Sequence, residues 1–241
     1  MTDPLDRSGA RTRATSERAP QPQGRPSWRS AAQALLRTRR GAPFDARRRA
    51  REPFPDYFER ATCGSFQMDG VPLSQDEFRA ALARGAAASA CRAGSARRTR
   101  NHVAILRRVE SLLRRGRPLH PADVVRWYTS IAGGLSAGAM DAATAARVER
   151  IVSAVNSPRL RFWPAVQEVA ALHVHLLADP FVPGFNGILA RLLLRYHMGR
   201  CGLPPVVFDA ATDPPRLGEV SKLEPRLLEL IVESYDAALK G

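Results

Sequence analysis

Residues 179–193, DPFVPGFNGILARLL, carry the densest set of groups able to do chemistry in this chain. Gly184, Asn186 and Gly187 form a small-residue loop that opens directly onto an apolar helix. The first N–H groups of such a helix have no partner within it and sit at the positive end of its dipole. The loop is therefore a site for a phosphate or carboxylate. Arg191, about one turn further on, can add a guanidinium at the same point. Asp179 stands in front of the loop, where a carboxylate could accept a proton or orient a hydroxyl or amine. Its reference pKa of about 3.9 makes it a weak base near neutral pH.

Phe181, Phe185 and Ile188 give this candidate pocket apolar walls, which suit a ligand smaller or less charged than a triphosphate. Ile188 also belongs to an apolar stripe with Leu189, Leu192, Leu193 and Tyr196 that reads as core. His173 lies close enough upstream to line the pocket, and otherwise reads as a packing histidine. His173 and His175 are two apart and point to different helix faces, a poor metal pair. No metal ligand set, P-loop, dinucleotide fingerprint or Ser/His/Asp order is present.

The elements that must position these groups read as helices throughout. Ser74 and Glu77 make a capping box for a helix running to about residue 84, and apolar spacing from Val103 to Leu113 predicts a helix over 101–115. Pro121 opens a helix that ends before Gly133, another covers about 141–155, and others cover 164–178, 185–199 and 224–239. Residues 205–208 are the one strand-like run. The class is all-α, with a small β-hairpin flap at most.

Residues 1–27, rich in Arg, Ser and Pro, are expected to be a disordered tail. Residues 28–56 hold a short helix and a linker, with irregular chain expected across 41–62, and 57–241 form the folded domain.

The 179–193 segment resembles the signature of the Fic family, HPFxDGNGRxxRLL. Pro180, Phe181, Gly184, Asn186, Gly187, Arg191, Leu192 and Leu193 match once Phe185 is counted as an insertion. Upstream, Ser65-Phe66-Gln67-Met68-Asp69-Gly70 resembles the family's inhibitory motif, (S/T)xxxE(G/N), with Asp for Glu. Residues 117–135, His173 and Gly202-Leu203-Pro204-Pro205 also fit the family pattern, so the likeness spans about residues 57–240. It implies a Fic-like helical bundle.

In that family a histidine deprotonates a target hydroxyl, which attacks the α-phosphate of a nucleotide and takes AMP. An acid holds Mg²⁺, the loop cradles phosphates and two arginines neutralise them. Here Asp179 stands at the histidine, Pro183 at the metal-binding acid and Ile188 at the first arginine. The resemblance therefore implies an anion or nucleotide-like pocket with non-standard group-transfer or elimination chemistry, no required cofactor, and a nucleotide or phosphorylated ligand. A catalytically inactive scaffold binding a protein partner is the alternative. Ser65, Asp69 and Gly70 become regulatory candidates, Asp69 pairing with Arg191 either as a latch or as a structural tie.

Charge bounds the partners further. The net charge is +14, and all but two of the 37 basic residues are arginine. Together with abundant Ala, Gly and Pro, that skew points to a GC-rich, bacterial type of coding sequence. Residues 1–50 hold 12 arginines and 4 acids, and a second basic run spans 92–117. Nucleic acid binding through the tail is the weaker reading, because no aromatics interleave with the arginines to stack bases. Without a membrane-length apolar run or a secretory h-region, and with three unpaired-looking cysteines, a cytoplasmic protein away from membranes is expected.

Overall fold

Ser74 and Glu77 close the capping box that their spacing requires. The Ser74 N–H donates to Glu77 Oε2 at 2.8 Å and the Glu77 N–H to Ser74 Oγ at 3.2 Å. The computed structural model describes residues 56–83, 93–133, 141–157, 162–182, 184–208 and 226–234. The tail, the 28–40 helix and Pro183 lie outside the described residues.

Eight helices follow in order among the described residues: α1 (Tyr57–Met68), α2 (Gln75–Leu82), α3 (Ala93–Arg114), α4 (Pro121–Ala132), α5 (Ala142–Asn156), α6 (Phe162–Ala178), α7 (Asn186–Arg200) and α8 (226–234). No strand occurs among them, and the strand-like 205–208 run is buried chain without a ladder partner. The all-α class holds.

Two helices begin earlier than the sequence suggests. The α1 helix starts at Tyr57, inside the stretch expected to be irregular, because Tyr57 and Phe66 both bury against the core (2% and 1% exposed). The α3 helix starts at Ala93 rather than near 101. Its first two turns have no apolar stripe and are held by tertiary contacts. Arg97 donates to the Gly133 carbonyl at 2.6 Å and Arg100 to the Ala81 carbonyl at 3.0 Å.

The α7 helix is the axis of the bundle. Its residues from Ile188 to Met198 are all buried, and α1, α3, α4, α5 and α6 pack around it. A helix apolar on every side belongs inside. Its polar members therefore all need partners. Arg195 finds Glu110 of α3 through two charge-assisted bonds of 2.6 and 2.8 Å, and Tyr196 bonds Asn156 at 2.8 Å and the Leu119 N–H at 3.0 Å. Arg191, the remaining cation near the helix start, leads to the site.

Candidate functional site

The turn after α1 aims a carboxylate at the N-terminus of α7. Gly70 takes φ 75°, a left-handed conformation that costs glycine little. The Val71 N–H then reaches the Phe66 carbonyl (2.9 Å) and the Gly70 N–H the Gln67 carbonyl (3.0 Å), the bonding pattern of a Schellman helix end. Asp69, the C-cap of α1, is thereby turned toward α7.

There Asp69 occupies the N-terminus of α7. Its Oδ2 accepts the Ile188 N–H at 3.2 Å, and its Oδ1 accepts a short bond from Arg191 Nη2. Arg191 also donates from Nε to Ser65 Oγ and from Nη2 to the Ser65 carbonyl, both at 2.7 Å. Burial works against the Arg191 charge, and the Asp69 pairing offsets it. Gly187 is required for the close approach. A Cβ there would lie 2.3 Å from Asp69 Oδ1 and 3.2 Å from Arg191 Nη1. Ser65, Asp69, Gly187 and Arg191 thus converge on one point.

Asn186 does not face that point. Its Oδ1 accepts the Phe181 N–H (3.1 Å) and its Nδ2 donates to the Leu176 carbonyl (2.8 Å), so the side chain stitches the loop to the end of α6. Expected as an anion ligand, it is instead bonded as a loop-closing residue. Gly184, at φ 74°, turns the chain beside it. Phe181 and Ile188, expected as pocket walls, are core side chains at 4% and 0% exposure. Ile188 faces the packed interior because α7 is buried all round, and Phe181, in the loop before it, joins the same core cluster. Phe185 is half-buried, with the Arg98 guanidinium 5.0 Å above its ring.

Asp179 lies at the exposed end of α6, held by an arginine that sequence reasoning missed. Arg147 of α5 reaches both carboxylate oxygens of Asp179, its Nη1 donating to Oδ1 at 3.1 Å and to the Pro180 carbonyl at 3.2 Å. It also donates to the Asp179 carbonyl. Such a clamp caps the helix end as well as pairing the charge.

Two buried histidines flank Arg191. His173 stacks on Phe208 with ring centroids 5.7 Å apart, and His102 shares a 3.0 Å hydrogen bond with Thr62 Oγ1. Burial, then the Arg191 charge, push both down to about 3, so both rings are neutral near pH 7. His173 is thus close to Arg191 but packed. A cavity of about 20 Å³ beside Ser65, His102 and Arg191 has room for one water. A larger one, about 450 Å³, adjoins the Asp69 turn and is lined by Phe66, Val71, Pro72, Glu77, Ser95 and Arg98. Cys63 and Cys201 are buried and pushed up to about 11 and 12, so they stay protonated thiols.

Solved structures share this arrangement of helices. A fragment of Fic-1 from C. elegans matches with a TM-score of 0.63 at 20% identity, over 89% of this chain and 69% of that one. A Glu-to-Gly variant of the fragment gives 0.61, also at 20%, over 89% and 70%. A Fic domain containing signaling protein from Bacteroides thetaiotaomicron gives 0.55 at 15%, over 89% and 97%.

The chain has the Fic fold.

No protein-family model and no curated protein matches it. The Mg²⁺ that a Fic enzyme implies does not fit the donors present. Proline stands at 183, and the nearby carboxylates Asp179 and Asp69 are each committed to an arginine. Among the described residues no three His, Cys, Asp or Glu side chains gather as a metal site, and no helix is long and apolar enough to cross a membrane.

Proposed function

We propose that this Fic-fold protein binds the anionic group of a small phosphate-bearing or nucleotide-like ligand at the N-terminus of α7, in competition with its own Asp69. The supporting observation is that carboxylate itself. It takes the Ile188 N–H and the Arg191 guanidinium, against a glycine backbone that admits an anion and little else. Asp69 is a tethered stand-in for the ligand's anion. The 450 Å³ cavity lined by Phe66 and Val71, which flank the Asp69 turn in sequence, is of ligand size.

The chemistry that follows is a group transfer or elimination without a metal, in which a bound substrate draws Asp179 away from Arg147 to act as the base. AMP transfer of the Fic kind lacks its histidine, its metal acid and its first arginine here. The Arg147 clamp favours a second reading, a binding scaffold with no turnover, because both Asp179 oxygens are engaged.

A thermal-shift screen of inorganic phosphate, nucleotides, sugar nucleotides and phosphorylated metabolites tests the binding. Wild type should respond weakly and Asp69→Ala strongly. Equal silence from both proteins would overturn the proposal. For any compound that binds, product formation lost in Asp179→Asn selects the enzyme, and binding without product selects the scaffold.

A further inference from the structure

The second basic run becomes a one-sided surface once it is folded. From Ala93 through Arg126 the chain has nine arginines and two acids, Glu110 and Asp123. Both acids are buried, at 3% and 4% exposure. Glu110 points inward to Arg195, and Asp123 caps α4 and accepts from Arg126. What reaches solvent on the outer face of α3 is therefore positive throughout its length.

The arginines at its N-terminal end serve the fold, bonding Gly133, Ala81 and Phe185. Those further along do not. Arg107, Arg108, Arg114, Arg115 and Arg117 are exposed and have no ion-pair partner among the described residues. Arg107 and Arg114 are seven apart, as are Arg108 and Arg115, so each pair lies on one face with a spacing of about 10.5 Å. Beside them a groove of about 280 Å³ runs between α3 and α4. Arg108 stands on one bank and Arg126, its side chain 71% exposed, on the other. The buried Trp127 lies beneath, together with the Asp123 carboxylate, whose Oδ1 is paired with Arg126 at 2.8 Å.

A soluble surface normally mixes both signs, since an unrelieved field disfavours the folded state. Among the described residues of α3 and α4 no exposed acid relieves this one. Segments 84–92 and 134–140, which flank α3 and α4, contain no acid, and residues 1–50 are themselves strongly basic. The partner complementary to such a face is a polyanion.

The face also says which polyanion. Among the described residues Leu82, on α2, is the one large hydrophobic side chain that is exposed. The ridge has neither the aromatic or aliphatic anchor of a protein hot spot nor the apolar face of a helix that inserts into lipid. It offers planar guanidinium forks, which match pairs of phosphate oxygens. Apart from His120 at the N-cap of α4, its described residues present no exposed ring on which unpaired bases could stack. We infer that the α3–α4 face is a sequence-independent binding surface for the phosphodiester backbone of a nucleic acid duplex, with a phosphate seated between Arg108 and Arg126. This surface is separate from the anion site at α7 and does not depend on it.

Fluorescence anisotropy of the full chain with a short mixed-sequence DNA duplex, and with the RNA duplex of the same sequence, tests this across about 50–200 mM salt. The wild type should bind, with log K falling linearly against log salt. Replacing Arg107, Arg108, Arg114 and Arg115 together with Gln should flatten the slope by up to about 3.6, or 0.9 for each phosphate no longer neutralised, and weaken binding at least tenfold. Lysine at the same four positions should keep most of the slope, and the Gln protein should melt at the wild-type temperature because these side chains are exposed. Changing Arg11, Arg13 and Arg18 to Gln should have the smaller effect. A wild-type slope in the α3 variant, binding abolished by the tail variant alone, or equally tight binding to polyglutamate or to anionic phosphatidylserine vesicles would each overturn the inference. A stronger response to one duplex identifies whether DNA or RNA is the better-fitting source of the same phosphodiester chemistry.

Discussion

Asp69 and Arg191 are 122 residues apart in sequence and meet as a buried ion pair at the start of the central helix, where the Asp69 carboxylate also takes the Ile188 N–H. The guanidinium is 8% exposed and the carboxylate 18%. Removing one member of such a pair leaves the other charge without compensation, a loss on the order of 3 kcal/mol. The pair ties α1 to α7 and occupies the helix start at which the proposed ligand's anion would compete.

Asp69→Asn separates those two roles. Urea unfolding should show the loss of stability just given, and inorganic phosphate should restore part of it in the variant while leaving wild type nearly unchanged. Phosphate restoring nothing would make the pair structural and end the competition argument.

Gly187→Ala puts a methyl group 2.3 Å from the Asp69 oxygen and forces the carboxylate out. The expected loss is about 1–3 kcal/mol, in the range of overpacking. In an Asp69→Ala background most of that loss should disappear, because the clash is with that side chain. A double-mutant cycle reads the coupling directly, and additive losses would place the strain elsewhere.

Arg147→Gln opens the clamp on Asp179 and two carbonyls. Asp179 is 60% exposed, so the pair itself contributes about 1 kcal/mol or less. Faster hydrogen exchange at the Phe181 and Asn186 amides should accompany the change, since Arg147 fixes the end of α6 from which the loop departs. Unchanged exchange would mean that Asn186 alone holds the loop.

Acid should destabilise the protein well before its carboxylates titrate. His102 and His173 are held down at about 3 against an ordinary value near 6.5. The unfolded chain binds protons on these rings that the folded chain refuses, so their stabilising effect is complete above the unfolded pKa and is lost as pH falls toward 3. Between pH 7.5 and 5.5 each ring should lower the unfolding free energy by about 1.4 kcal/mol. Urea melts across that range check the slope, and His102→Gln should make it shallower by one ring's share. A flat profile would show that the rings are protonated in the folded state.

Features that depend on neighbours close along the chain were legible before any packing was known. The capping box at Ser74, the Pro121 start and the buried stripe of α7 follow from spacing of three, four and seven residues, which is local geometry. The motif around Asp69 and the loop before Asn186 could be read in the same way, and their order along the chain indicated the Fic fold. Which distant groups meet is a matter of packing. With arginine at so many positions, nothing local marks Arg147 as the partner of Asp179, or Arg195 as the partner of Glu110. The surface geometry of α3 is hidden for the same reason, since a run of arginines shows its one-sidedness only when its acids have turned inward. Asn186 looked like an anion ligand because an amide at a helix start can face either way. The Leu176 carbonyl and the Phe181 N–H, brought alongside by the packing of α6 on α7, settle its direction, because a buried amide must satisfy both its donor and its acceptor.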